Sequence, residues 1–545
     1  MIRNYFGNKS FEFTIKDSNN QVVYTAPSST KLPVKFVWDG KNNEKLPAPD
    51  GFYSAALHVV ATNYSEITVS TQNFELDTVE PSLVAECSWN YFSPDGDGNQ
   101  DNLPVIITNS TSEKIWTAEV RDSKDKTVKK ITWNNVKDKI VWDGSDESGN
   151  TAADGKYNII IYSTDDAGNS VSRELKGITL DTRETKAYIT AEYEGISPNK
   201  DGYLDAQNFE IRATLTEGIK SWNFDVRRED GTPVYSLSDE GKNPLPAKIV
   251  WNGLDKDGKG FEGTFTGTLN IDYLKGNKVS AVSSPFICTA TVPNLNVQTR
   301  TANSGDWFSP DNDGIDDELY IKLTGTTKAK IKNWSFVIKD VRGRDFWRTS
   351  GKSQITERIV WDGLSNVQKS ANGKAERVQS AMDYPYEFTV TDSLGMTNTY
   401  KGTIQVDVLV IREGNVLKMA VPSIIFESDS DNFQIAKKDK LTDEQISKNT
   451  VTLDRIAQIL KKFKDYKVTI VGHANRTTND PAEETESLKP LSKKRADAIR
   501  NYLVKKGVNA NSVSTDGMGG TQPVADPFDK DNNWKNRRVE FILEK

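Results

Sequence analysis

In the stretch Leu491-Ser492-Lys493-Lys494-Arg495-Ala496, side chains stand where local physics disfavours them. Ser492 reads as a helix N-cap. The next three residues are cations at the helix end whose dipole favours acids, and Arg495 stands where a capping box wants Glu. Between Lys489 and Lys506 seven basic side chains face a single acid, Asp497. Positive side chains beside free helical amides form a receptor for a carboxylate, and an Arg can clamp both of its oxygens. From this run alone an ordinary solvated basic face is the plainer reading.

Three acidic loops offer a different chemistry: Ser93-Pro94-Asp95-Gly96-Asp97-Gly98-Asn99-Gln100-Asp101, Ser197-Pro198-Asn199-Lys200-Asp201-Gly202-Tyr203-Leu204-Asp205 and Ser309-Pro310-Asp311-Asn312-Asp313-Gly314-Ile315-Asp316-Asp317. Counted from the residue after Pro, oxygen ligands recur at positions 1, 3 and 7, a spacing by which a loop wraps a hard cation such as calcium. Asp95, Asp97 and Asp101, and Asp311, Asp313 and Asp317, are the better candidates, because the second loop offers Asn199 and Lys200 instead. The bidentate Glu and flanking helices of an EF-hand are missing. The preferred reading is an Asx-rich turn whose carboxylates bond the loop's own amides, with calcium as the alternative and no other cofactor.

Other chemistries find little support. The chain holds two histidines, His58 and His473, which argues against an imidazole-based triad or a multi-histidine metal site. No Gly-x-Ser-x-Gly elbow, phosphate-binding loop or dinucleotide glycine pattern stands in a suitable context, and nothing singles out a catalytic pair among the 77 acids. An enzyme is not expected. Cys87 and Cys288 are too far apart to suggest a disulfide framework and read as small buried hydrophobes. A net charge of -7 and a pI near 5.4 lack the basic excess that nucleic acid demands. No run of 18 apolar residues predicts a transmembrane helix, and Met1-Ile2-Arg3-Asn4 leads into polar sequence rather than a signal peptide's apolar core. An export signal, if the protein has one, is not in this chain.

The elements that position these residues form a series. Val37-Trp38-Asp39-Gly40, Val141-Trp142-Asp143-Gly144, Val250-Trp251-Asn252-Gly253 and Val360-Trp361-Asp362-Gly363 place their tryptophans 104, 109 and 110 residues apart. Around each lie β-branched and aromatic segments such as Tyr157-Asn158-Ile159-Ile160-Ile161-Tyr162, broken by Asp-Gly and Gly-Asn turns, with no helical periodicity before residue 440. A Trp that ends a strand can plug a sandwich core, and Asp-Gly makes the tight turn after it. The pattern predicts tandem all-β sandwiches at 1–84, 85–185, 186–297 and 298–407, the first lacking the opening segment of its sisters. These units resemble FlgD-like immunoglobulin-type domains of bacterial envelope proteins.

Past residue 440 the period changes. Leu453, Ile456, Ala457, Leu460 and Phe463 fall at helical spacing, followed by the strand Val468-Thr469-Ile470-Val471, a helix expected over Lys493 to about Lys506 and a last strand at Arg538-Val539-Glu540-Phe541-Ile542. This predicts an α/β domain over 408–545. Within it stand, in order, Val471-Gly472-His473-Ala474-Asn475, Leu491-Ser492-x-x-Arg495-Ala496, Gly517-Met518-Gly519 and Asn536-Arg537-Arg538-Val539-Glu540. That ordered set resembles the OmpA C-terminal family, usually Gly-His-Thr-Asp, Leu-Ser-x-x-Arg-Ala, Gly-x-Gly and Asn-Arg-Arg-Val-Glu.

The resemblance implies non-covalent binding of the peptidoglycan stem peptide, with Arg495 clamping a diaminopimelate carboxylate and Asn475, His473, Ser492, Arg537 and Arg538 around it. It also implies a periplasmic or outer-membrane-associated place in the envelope of a diderm bacterium. Two departures stand out: Asn475 replaces the family's Asp, and Leu488 stands where Asn is usual. Asn cannot neutralise an ammonium. Either binding is weaker, or the stem carries another diamino acid such as ornithine. Glu483, Glu484 and Glu486 are candidates for a substitute anion. Two readings remain: a wall-binding protein whose β modules act as spacer or recruit other envelope proteins, or a scaffold or adhesin whose OmpA-like domain has lost its ligand.

Overall fold

The computed structural model describes residues 7–29, 31–303, 307–370, 373–436 and 440–545; the start at Met1-Ile2-Arg3-Asn4 lies outside them. The chain forms two compact units, 1–190 with 209–249 and 266–284, and 191–208 with 250–265 and 285–545. The division passes through the third predicted module.

In the first unit, alternation sets burial. Gly155–Thr164 turns Tyr157, Ile159 and Ile161 inward, as period-two patterning dictates. It joins a five-stranded sheet in the order Thr127–Trp133, Trp116–Asp122, Gly155–Thr164, Ser170–Leu180 and Tyr91–Phe92. A second sheet, Lys139–Trp142, Leu103–Ser110 and Leu83–Cys87, contributes Trp142 to the same core. Trp142 meets Phe92 and Tyr157 with ring centroids 5.2 and 5.0 Å apart, and its indole N–H donates to the Ser145 carbonyl at 2.9 Å. Gly144 sits at φ +76°, where a Cβ would press Pro94 at 2.9 Å, so both conformation and space require glycine.

The first module departs from expectation. Residues 35–38 form no strand, and Trp38 is half-buried against Tyr53 and Phe74. In the later modules the Trp-bearing strand is the edge of a second, three-stranded sheet, as at Lys139–Trp142 and Arg358–Trp361. Among the described residues the first module has one sheet, so its Trp strand finds no ladder. The cysteine reading also needs correction at one position: Cys288 is buried but Cys87 is half-buried, its thiol pushed up to about 11 by burial.

In the second unit the fourth sandwich packs Phe308, Phe336, Phe346, Trp361 and Tyr384 between Asn294–Thr301/Leu319–Thr326/Arg358–Trp361 and Asp345–Gly351/Ile331–Lys339/Asp383–Asp392/Thr397–Gln405. The chain then enters the α/β domain, whose sheet runs Ile411–Glu413, Val416–Val421, Val539–Glu544, Lys467–His473 and Val513–Gly519, with the last pair parallel. Helices α1 (Asp443–Lys462) and α2 (Lys489–Lys505) pack their apolar stripes on this sheet: Leu453, Ile456 and Leu460 from α1, Ala496, Ile499 and Leu503 from α2, against Met419, Ile470 and Phe541. A capping box starts α1, the Thr442 hydroxyl accepting the Gln445 amide and the Gln445 side chain accepting the Thr442 amide. Ion pairs Arg455–Asp407 at 2.5 Å and Lys448–Asp383 at 2.6 Å fasten α1 to the fourth sandwich. Among the described residues, no helix is long and apolar enough to cross a membrane.

Candidate functional site

The four motif segments of the C-terminal domain converge because two glycines let a helix lie on strand ends. A Cβ at Gly472 would stand 2.1 Å from the Ser492 carbonyl oxygen, and one at Gly517 would stand 2.5 Å from the Lys493 amide. Ser492 is wholly buried; its hydroxyl donates to the Lys489 carbonyl and accepts the Gly519 amide, both at 3.0 Å. The His473 amide donates to the Arg538 carbonyl at 3.0 Å and the Ala474 amide to the Gly519 carbonyl at 2.8 Å.

Ser492 is therefore not an N-cap. The helix begins at Lys489 and is continuous with a π-helical turn, Glu483–Leu488, since Leu488 and Lys489 both hold helical backbone angles. Pro490 fits that first turn, where a missing N–H costs nothing. Arg495 thus projects from the second turn of α2, and free helical amides do not surround it. The cations at 493–495 do not oppose the dipole; the acids Glu483, Glu484 and Glu486 lie in the first turn of the preceding segment.

Arg495 is half-buried and held by backbone. Its Nε donates to the Ser430 carbonyl at 2.9 Å and Nη2 to the Glu427 carbonyl at 3.3 Å, while the guanidinium carbon sits 4.9 Å from the centre of the Phe426 ring. Among the described residues no carboxylate lies within ion-pair distance of it. Burial lowers its pKa, Asp429 opposes that, and Arg537 adds repulsion. Arg537, exposed, is thus a second cation close to the first. Asp429 and Asp431, both exposed, are the acids that act on Arg495. No local pattern links them to Arg495, from which 64 or more positions separate them.

The convergence of these four segments agrees with the comparison to known families. Residues 439–537 match the OmpA family, and residues 8–63 and 95–167 match the FlgD Ig-like domain. The C-terminal domain is an OmpA-family domain. The peptidoglycan-binding protein ArfA of Mycobacterium tuberculosis is 35% identical over 91 residues, 17% of this chain and 26% of that protein. The peptidoglycan-associated lipoprotein of Rhizobium meliloti is 41% identical over 93 residues, 17% of this chain and 49% of that protein. The chain therefore spans from about a quarter to about half the length of these relatives. The periplasmic domain of Helicobacter pylori MotB aligns at 24% identity over 25% of this chain and 78% of that one, with a TM-score of 0.21.

Other candidate residues of the OmpA domain are occupied internally. Asn475 donates to the carbonyls of Arg476 and Pro527 at 2.9 and 3.0 Å and accepts from Asn536 at 2.8 Å. Arg538 is buried and pairs with Glu540 at 2.6 Å; Lys418 at 3.0 Å and the His473 ring at 3.5 Å also face that carboxylate. Burial alone would raise the Glu540 pKa, but His473, Arg538 and Lys418 hold it well below the usual carboxylate range. Arg538 and His473 thus serve Glu540. Of the acids offered as a substitute anion, Glu483 accepts the amides and hydroxyls of Thr477 and Thr478, which hold its pKa at about 2, and Glu484 accepts the Gly520 amide at 2.8 Å. Glu486 is exposed.

A cleft of about 470 Å³ lies elsewhere in this unit, lined by Glu376, Arg377, Lys418, Lys535, Arg538 and Glu540 among others; Arg495, Arg537 and Asn475 do not line it.

The two acidic loops singled out by spacing each gather three carboxylates. Asp95, Asp97 and Asp101 bring carboxylate oxygens within 4.8 Å of one another, as do Asp311, Asp313 and Asp317. In all three loops the last Asp accepts two backbone amides: Asp101 from Gly96 and Gly98, Asp205 from Lys200 and Gly202, and Asp317 from Asn312 and Gly314. Those bonds make the turn.

Proposed function

We propose that this protein binds peptidoglycan non-covalently through its OmpA domain, without catalysis, while its β-sandwich modules act as spacer or partner-binding scaffold in the cell envelope of a diderm bacterium. The observation that carries this reading is Arg495: a guanidinium oriented by two carbonyls and an aromatic face, with charge left over and a second cation, Arg537, nearby. A carboxylate of the stem peptide supplies the missing partner through charge-assisted hydrogen bonds. In this reading Asp429 and Asp431, whose charges act on Arg495, meet the ammonium of the same diamino acid, the task that Asn475 cannot perform. The names of the mycobacterial and rhizobial relatives, both of which refer to peptidoglycan, support the ligand class.

The test is a pull-down on purified sacculi. Wild type co-sediments and Arg495→Ala stays in the supernatant, with folding of the variant checked by circular dichroism. Equal sedimentation of both proteins refutes the reading, and release of soluble muropeptides would show an enzyme instead. One observation favours the scaffold alternative: both N–H groups of the Asn475 side chain are spent on internal carbonyls, and its oxygen accepts from Asn536. Failure of wild type to sediment supports it.

A further inference from the structure

The turn explains the last Asp of each acidic loop, but not the first. In the 197–205 loop, Asn199 occupies position 1 and its side-chain oxygen accepts the Asp201 amide at 3.0 Å. Asp95 does the same for Asp97 at 3.2 Å. A neutral amide at position 1 therefore suffices to shape the turn, which leaves the carboxylates of Asp95 and Asp311 unexplained by the turn itself.

A second observation points to a ligand. Asp311 is 8% exposed, its Oδ2 accepts the Val410 amide at 2.9 Å, and its Oδ1 is sealed from solvent with no hydrogen-bond donor. A buried, unpartnered carboxylate oxygen beside two more carboxylates calls for a cation. The 93–101 loop repeats the feature. Asn277, 6% exposed, donates to Asp95 at 2.8 Å and Asp97 at 2.9 Å, while its own Oδ1 is buried without a partner. An amide turned about its axis would present that oxygen to a bound ion. In the 197–205 loop, which lacks the third carboxylate, the Asn199 amide instead donates to the Met396 thioether at 3.3 Å.

We propose that Asp311, Asp313 and Asp317 form a calcium site that ties the fourth sandwich to the entry of the OmpA domain, through the Asp311 carboxylate and the Val410 amide. Oxygen ligands, three carboxylates and a glycine turn suit calcium's size and irregular coordination better than magnesium's strict octahedron. Two residues beyond Val410 lies Arg412, on the exposed strand Ile411–Glu413. An ion that fixes Asp311 therefore also restrains this strand.

The test uses the full chain, dialysed against chelator, with CaCl₂ as the probe in isothermal titration calorimetry. Wild type is expected to take up two equivalents with Kd of roughly 10⁻⁴ to 10⁻³ M. Asp311→Asn, which keeps the acceptor for Val410 and copies the natural Asn199, is expected to lose one equivalent, and Asp201→Asn none. Calcium is expected to slow tryptic cleavage at Arg412 several-fold in wild type and not in Asp311→Asn. Should Asp311→Asn fail to match the wild-type circular dichroism in chelator, Asp313→Asn replaces it. Absence of saturable binding at millimolar calcium, or equal stoichiometry in wild type and the variant, overturns the site. Binding without protection at Arg412 overturns the tie to the OmpA domain.

Discussion

Asn475 and Asn536 are hydrogen-bonded to each other inside the OmpA domain, the Asn536 amide donating to the Asn475 oxygen at 2.8 Å. Asn536 also accepts the amides of Val524 and Ala525, so the pair ties the end of the strand Lys467–His473 to the loop before the last strand. The departure from the family's Asp is thus built into the local packing. Restoring the acid by Asn475→Asp would set a carboxylate against the carbonyls of Arg476 and Pro527, which now receive its N–H groups. The expected result is destabilisation by about 1–3 kcal/mol, read from chemical denaturation at neutral pH, without a gain in sacculus binding. A variant that is both stable and a tighter binder would show that the ammonium is met at position 475 after all.

Gly472 and Ser492 test the packing that assembles the site. A methyl at 472 has no room beneath the Ser492 carbonyl, which is backbone and cannot swing away. Gly472→Ala is expected to cost about 3 kcal/mol. Ser492→Ala strips the Gly519 amide of its buried acceptor and is expected to cost about 1–3 kcal/mol. Because Gly472, Ser492 and Gly519 share contacts, the double variant should cost less than the sum of the two. Strict additivity in denaturation experiments would contradict a shared contact.

How much of this was legible follows from the range of each signal. Trp142 and Gly144 are local: a strand end, a plug and a left-handed turn fall within four residues, and the repeat displays them again at Trp361 and Gly363. Trp38 carries the same local signal and lacks the sheet that would complete it, because a strand is stabilised by partners that no local pattern encodes. The Ser492 hydroxyl resembles a cap in the local sequence, yet α2 starts at Lys489. Pro490, together with Glu483, Glu484 and Glu486 upstream, held the better signal for an earlier start. Asp429 and Asp431 reach Arg495 through tertiary folding alone.

The charge cluster at Glu540 predicts a pH dependence. Its folded pKa is depressed by His473, Arg538 and Lys418 despite burial. A depressed acid contributes stability that is present above its unfolded value, near the ordinary Glu value of about 4.3, and is lost as pH falls toward the folded value. Glu483, held at about 2, adds a contribution of the same sign. Thermal midpoints of the full chain should therefore fall steadily below about pH 4. Glu540→Gln should lower the midpoint at pH 7, since Arg538 is left buried without its anion, and should flatten the acid slope. An unchanged slope would mean that other carboxylates govern acid unfolding.

Arg495→Lys separates charge from geometry. Lysine keeps the positive charge but cannot bond the Ser430 and Glu427 carbonyls as a fork while presenting N–H groups to a ligand. If the guanidinium plane holds a stem-peptide carboxylate in two places, the exchange removes one charge-assisted bond, about 1.5–3 kcal/mol, or roughly ten- to hundredfold in Kd. Arg537→Ala, which takes away only the more exposed neighbour, should weaken binding less and make it less sensitive to salt. Sacculus sedimentation at two ionic strengths measures both effects. Full binding by Arg495→Lys would reduce the role of Arg495 to that of a point charge.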